Sequence, residues 1–110
     1  MKRIKFAAIL VPLVLSGEKN VTWRLFDDKE LSVGDDLEFI NRDTGKVFGY
    51  AKILKVWEKK LGEVGDEDYD GHEKFVSKDV MLETYRGYYG ERVSSETLVK
   101  VITFLFNSNK

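Results

Sequence analysis

The octapeptide Gly17-Glu18-Lys19-Asn20-Val21-Thr22-Trp23-Arg24 sets a glycine, a lysine, a threonine and an arginine at spacings that suit a small polar site. A threonine hydroxyl is a poor nucleophile until a base takes its proton. A lysine serves as that base only when burial or a neighbouring cation lowers its pKa. Arg24 is such a cation, and its planar fork also suits a phosphate or a carboxylate. If Val21 to Arg24 is extended, Thr22 and Arg24 share one face and Val21 and Trp23 the other. The apolar pair then packs into a core, and the polar pair faces a cleft or solvent. Lys19 joins them only if the chain turns at Lys19-Asn20, a turn that Gly17 permits. Spacing alone does not separate this arrangement from a solvated strand face.

The elements around the octapeptide must supply that turn and that cleft. Arg3 to Phe6 reads as a strand and Ala8 to Leu15 as a short buried helix, led or kinked by Pro12 and capped by Gly17 in the left-handed region. The basic start and apolar run also resemble a secretory signal, but they are too short to span a bilayer. The internal reading is preferred. Val21 to Phe26 is a strand, Asp27 to Glu30 a charged loop, and Val33-Gly34-Asp35 a turn into a half-buried strand, Asp36 to Ile40. Asn41 to Lys46 carries hairpin-turn chemistry, and Val47 to Trp57 is a long strand with a bulge or bend at Gly49. Lys59 to Gly71 is polar, acidic and irregular. Ser77 caps a helix that carries Val80, Met81, Tyr85 and Tyr88 and stops at Gly90. Thr97 to Phe106 is a last strand, apolar enough for burial on both faces.

These elements predict an α+β fold: a small β-barrel of about five or six strands with two or three short helices. It forms one domain over residues 1–106, and 107–110 is a tail. With 110 residues, 43% of them hydrophobic, the chain can bury one core. Charged residues make up 34%, yet the net charge is only -1, so any nucleic-acid binding must use a local basic patch. There is no cysteine, which excludes disulfides and thiolate metal sites and suits a reducing cytoplasm. Glutamine is absent while lysine and glutamate abound, a thermophile-like balance.

Other constellations carry weaker chemistry. Asp66-Glu67-Asp68-Tyr69-Asp70-Gly71 matches half of a calcium loop, but Ser77 stands where a bidentate glutamate is needed, and no metal is expected. Lys52, Lys55, Lys59 and Lys60, with Arg86 and Arg92, form either a phosphate-tracking patch or a solvated face. Tyr85, Tyr88 and Tyr89 either stack on bases or pack in the core. His72, the single histidine, is read as a surface residue whose functional alternative is a contact to a base or phosphate at the cleft rim.

Gly17, Lys19, Thr22 and Arg24 match the G-x-K-x-x-T-x-R signature of the ASCH domain, a branch of the PUA-like β-barrels. The resemblance extends through the Gly34-Asp35 turn, the acidic stretch, the helix closing in Tyr89-Gly90 and the last strand. It thus covers nearly the whole chain and favours the internal reading of the N-terminus. It implies a cleft that binds RNA or a modified nucleoside, with Gly17, Arg24 and His72 as ligand contacts. Small free-standing members are amidohydrolases of N4-acetylcytidine, and by motif their lysine is Lys19 and their threonine Thr22. Their assisting glutamate corresponds to Glu73, with Asp70 as the alternate because Asp70-Gly71-His72 is the local match to the family's Glu-Gly-aromatic pattern. As a general acid, either carboxyl needs a pKa raised by burial. The resemblance implies no cofactor, metal or membrane.

Overall fold

The computed structural model describes residues 1–109, and Lys110, the end of the expected tail, lies outside the described residues. Five strands form one sheet: β1 (Lys2–Phe6), β2 (Val21–Leu25), β3 (Asp36–Asn41), β4 (Val47–Lys60) and β5 (Leu98–Asn107). Their spatial order is β1-β3-β4-β5-β2. Strand β1 runs parallel to β3, and the other pairs are antiparallel. Three short helices accompany them: α1 (Val11–Ser16), α2 (Asp66–Tyr69) and α3 (Lys78–Tyr89). No helix among the described residues is long and apolar enough to cross a membrane.

The expected small α+β barrel-like fold is present, as a curled half-barrel. Two bulges in β4 produce the curl, because an extra residue on one strand bends it and increases its twist. Phe39 pairs with Gly49 and Ile40 with Val47, so Phe48 is the first extra residue. Ile53 pairs with Phe104 and Lys55 with Thr103, so Leu54 is the second. The edge strands β1 and β2 do not pair, but the curl brings them close. The Arg24 guanidinium carbon lies 4.8 Å from the centre of the Phe6 ring. An open seam therefore runs between the two sheet edges.

The sheet is buried on both faces. Ile4, Phe6, Leu37, Phe39, Ile53, Ile102 and Phe104 fill one side with Val14 of α1. Val21, Trp23, Leu25, Val99 and Val101 pack on the other side, with Met81 and Tyr85 of α3. The switch falls between Val101 and Ile102, which is why β5 reads as a continuous apolar run. Its ends do not follow that pattern, since Leu98 and Leu105 are exposed. Alternation in β2 places Val21, Trp23 and Leu25 in the second cluster and turns Thr22 and Arg24 toward the seam, as the sequence pattern predicts.

The acidic stretch is more ordered than its composition suggests. Strand β4 continues to Lys60, a 3₁₀ turn follows over Leu61–Glu63, and α2 begins at Asp66. The organising group is Asp68, whose carboxylate is fully buried. It accepts from Trp57 Nε1 at 2.9 Å, Lys59 Nζ at 2.7 Å and the Gly65 amide at 2.8 Å. Its backbone oxygen accepts from Trp23 Nε1 at 3.2 Å. Asp68 thus ties the acidic stretch to β2 and β4, and these protein donors occupy the carboxylate that the calcium-loop pattern would offer a cation. Asp68→Asn keeps the shape but removes the charge that Lys59 answers and swaps an acceptor for a donor. It is expected to cost about 2 kcal/mol, read as a lowered urea midpoint at unchanged slope.

Candidate functional site

Helix α1 ends at Gly17, whose φ of 85° lies in the left-handed region. The chain then doubles back, and the Lys19 amide bonds to Leu13 O at 2.9 Å. The amides of Asn20 and Val21 both bond to Gly71 O, at 2.9 and 3.1 Å, docking the loop after α2 onto the start of β2. This is the turn that the octapeptide needed. It carries the Lys19 side chain into the same cavity as Thr22 and Arg24. Gly17, expected among the ligand contacts, does not line that cavity; it reverses the chain.

The cavity measures about 190 Å³ and sits where the seam meets α3. Phe6 and Leu10 form one wall, Tyr85, Tyr88 and Tyr89 of α3 another, and Thr22, Trp23 and Arg24 the base. Lys19 is only 2% exposed. Its Nζ donates to Val21 O at 2.7 Å and to Glu73 Oε1 at 2.5 Å. Burial lowers its pKa to about 8, with Arg24 adding to the effect, although Glu73 opposes it. An amine at that value is poised between acid and base at neutral pH.

The family pattern left Glu73 and Asp70 as alternatives. Glu73 lines the cavity and pairs with Lys19, whereas Asp70 lies in a separate groove on the far side of the loop. The protonation expected of the acid does not hold. Burial pushes the Glu73 carboxyl up, but Lys19 and His72 beside it outweigh burial and hold it below the usual range. In this state Glu73 is a carboxylate that holds Lys19, not a resting general acid. Thr22 is buried, and its Oγ1 accepts from Arg24 Nε at 3.1 Å. Lys19 and Thr22 share the cavity without a direct hydrogen bond between them. The two bonds to Val21 O and Glu73 occupy two of the three ammonium donors.

His72 is not the surface residue its polar loop suggested. It is 6% exposed and stacks on Trp23 with centroids 4.0 Å apart and planes at 17°. Burial lowers its pKa to about 4, and Lys19 and Arg24 contribute, so the ring is neutral. Nδ1 lies 2.6 Å from the Glu73 carbonyl, which can only accept, so Nδ1 carries the proton. Nε2 then accepts from the Tyr85 hydroxyl at 3.3 Å, which burial keeps protonated. The ring lines the cavity and anchors the backbone of Glu73 to the aromatic cluster. No spacing rule signalled this, because Trp23, His72 and Tyr85 come from three separate elements.

This histidine makes stability pH-dependent. Its pKa is about 4 folded and 6.5 as a free side chain. Between those values the unfolded chain binds more protons, so stability rises with pH and is lost on acidification through that window, by about 3 kcal/mol. Glu73, also held low, adds a loss in the same direction at the acid end. The urea midpoint is expected to fall between about pH 7 and about pH 4.5. His72→Gln should lower the midpoint at neutral pH and flatten its slope with pH.

Most of the expected basic patch is paired, and among the described residues only Lys55 and Arg92 of that set lack a carboxylate partner. Lys52 pairs with Asp36, Lys59 with Asp68 and Glu67, Lys60 with Glu96 and Arg86 with Glu83. Of the three tyrosines, Tyr85 packs in the core and Tyr88 is the most exposed, yet all three present atoms to the cavity. Arg42, from the β3–β4 turn, joins the rim over the Tyr88 ring at 5.7 Å.

No protein-family model and no curated protein matches the chain. Solved structures do. An ASCH domain from Lactobacillus crispatus JV V101 superposes at a TM-score of 0.71 and 21% identity, over 96% of this chain and 78% of that one. A protein of family DUF984 from Enterococcus faecalis V583 gives 0.72 at 16% identity, over 89% and 69%. The ASCH protein of Zymomonas mobilis gives 0.64 at 17% identity, over 97% and 67%. The chain therefore has the ASCH-domain fold, and three of its four signature residues, Lys19, Thr22 and Arg24, line the cavity described above.

Proposed function

We propose that the cavity accepts one pyrimidine nucleoside acylated on its exocyclic nitrogen and hydrolyses that amide, N4-acetylcytidine being the model substrate. The observation that carries this reading is Lys19: buried, paired with Glu73 at 2.5 Å, with a pKa near 8, in one cavity with a threonine hydroxyl. A volume of about six waters suits a single ring rather than a folded strand. The three tyrosines and Phe6 offer it apolar walls.

In the cleavage step, the neutral Lys19 amine takes the Thr22 proton and Oγ1 attacks the acetyl carbonyl. Arg24, on Oγ1 at 3.1 Å, stabilises the charge on Oγ1 as its proton leaves. The C–N4 bond breaks as Lys19 returns its proton to N4, releasing cytidine and leaving an acetyl ester on Thr22. Water, deprotonated by Lys19, then hydrolyses the ester to acetate and regenerates the hydroxyl. Glu73 keeps the Nζ in place through both steps. The chemistry needs no cofactor, and a cysteine-free chain suits a cytoplasmic setting.

Incubation with N4-acetylcytidine should release cytidine and acetate in equal amounts. The value of kcat/KM should rise with pH up to about 8 and then level, because Lys19 must lose its proton to act. A second reading, binding without turnover, is favoured by one observation: the Thr22 hydroxyl bonds to Arg24 and not to Lys19. On that reading Lys19 and Arg24 hold a phosphate or a base edge. No cytidine appears, and RNA binding falls with salt and with Arg24→Ala.

A further inference from the structure

The seam between β1 and β2 does not end at the Lys19 cavity. It continues into a groove of about 490 Å³ that shares Lys5, Arg24 and Tyr89 with the cavity. This groove concentrates positive charge in a chain whose net charge is -1. Arg3 is answered by Glu38, and Asp27 by Lys100. Among the described residues, Lys5, Lys29 and Arg92 have no carboxylate partner within salt-bridge distance. With Arg24 they face only Asp28 in the groove.

The groove also holds an otherwise unexplained backbone. Phe26, directly after β2, has a φ of 51°, a strained conformation for a bulky residue, and the residue is 41% exposed. That conformation sets the ring under the Arg92 guanidinium, 3.7 Å from its carbon, and edge-on to Tyr89 at 6.0 Å. An arginine seated on an aromatic face is oriented in advance, and the N–H edges of its fork stay free for an oxyanion. Strain is thus spent on presenting an unpaired, oriented guanidinium beside the nucleoside cavity.

We propose that this seam is a phosphate subsite, in which Arg92, Lys29 and Lys5 grip the phosphate attached to the nucleoside that occupies the Lys19 cavity. The inference rests on the nucleoside reading above and narrows its substrate to the phosphorylated form. A phosphate on the sugar fits because the cations lie outward from the base cavity along one continuous cleft. The phosphate belongs either to a free mononucleotide or to an RNA strand.

Binding of cytidine, cytidine 5′-monophosphate, ribose 5-phosphate and a short single-stranded RNA, at low and high salt, tests it. The monophosphate should bind about tenfold tighter than cytidine at low salt, and the advantage should shrink as salt rises. The Arg92→Ala/Lys29→Ala variant should lose that advantage while binding cytidine within about twofold of the parent. Arg92→Gln with Lys29→Gln serves the same purpose should the alanine pair unfold. RNA tighter than the monophosphate assigns the phosphate to a strand, and RNA no tighter assigns it to a mononucleotide. Equal affinity for cytidine and its monophosphate, or a variant that weakens both alike, overturns the subsite. Ribose 5-phosphate binding lost in the variant, with no cytidine binding in the parent, would instead sink the nucleoside reading and leave the subsite standing.

Discussion

Lys19→Met is expected to lower turnover of N4-acetylcytidine by about a thousandfold, the usual worth of a positioned general base. Methionine keeps the length and the apolar stem, so the fold survives. The variant leaves Glu73 without its cation but still partly open to water, with 22% of its side chain exposed. Thr22→Ala should be at least as damaging, because it removes the atom that forms the ester. Thr22→Ser retains the hydroxyl and should keep activity within about tenfold. Single-turnover assays separate the two roles. In Lys19→Met the residual rate should no longer rise toward pH 8, whereas in Thr22→Ala no acetyl-enzyme should accumulate. Full activity in Thr22→Ala would refute the nucleophile, and an unchanged pH profile in Lys19→Met would refute the base.

Gly71→Ala is expected to destabilise the chain by about 2 kcal/mol. A Cβ on Gly71 would come within 3 Å of the Asn20 side-chain amide, and φ there is 82°, where an L side chain is strained. The same residue's carbonyl accepts both the Asn20 and Val21 amides, so the backbone is held and relief falls to the exposed Asn20 side chain, which must turn aside. Loop 70–73 carries Glu73 and His72, so activity should fall with stability, and a lowered melting temperature should accompany a raised KM. Asn20→Ala in the Gly71→Ala background should recover part of the loss. It removes the clash but leaves the backbone strain of about 1 kcal/mol. Full recovery would mean that the positive φ costs nothing there.

Much of the scaffold is legible from local pattern. Alternation in β2 separates Val21 and Trp23 from Thr22 and Arg24 without reference to any partner strand. Pro12 at the start of α1, Gly17 at its end and Ser77 before α3 act within one turn of the chain, so residue type alone signals them. The acidic stretch is different. Its composition reads as a solvated loop, but Asp68 is buried because Trp57 and Lys59 on β4 and the nearby Gly65 amide converge on it. Such satisfaction of a buried charge depends on how the strand end and the short helix fold against each other, which composition does not display.

The site divides along the same line. The octapeptide by itself determined which side chains could react, which face of β2 they occupy and that a turn must return Lys19 to them, because these follow from strand geometry and glycine's freedom. Only the tertiary structure decided that Glu73 and not Asp70 meets Lys19, that His72 is neutral and stacked on Trp23, and that unpaired cations continue the cleft outward along the seam. Those outcomes rest on burial and on charges brought together from distant segments, and both come into being only when the sheet curls and its two unpaired edges approach each other.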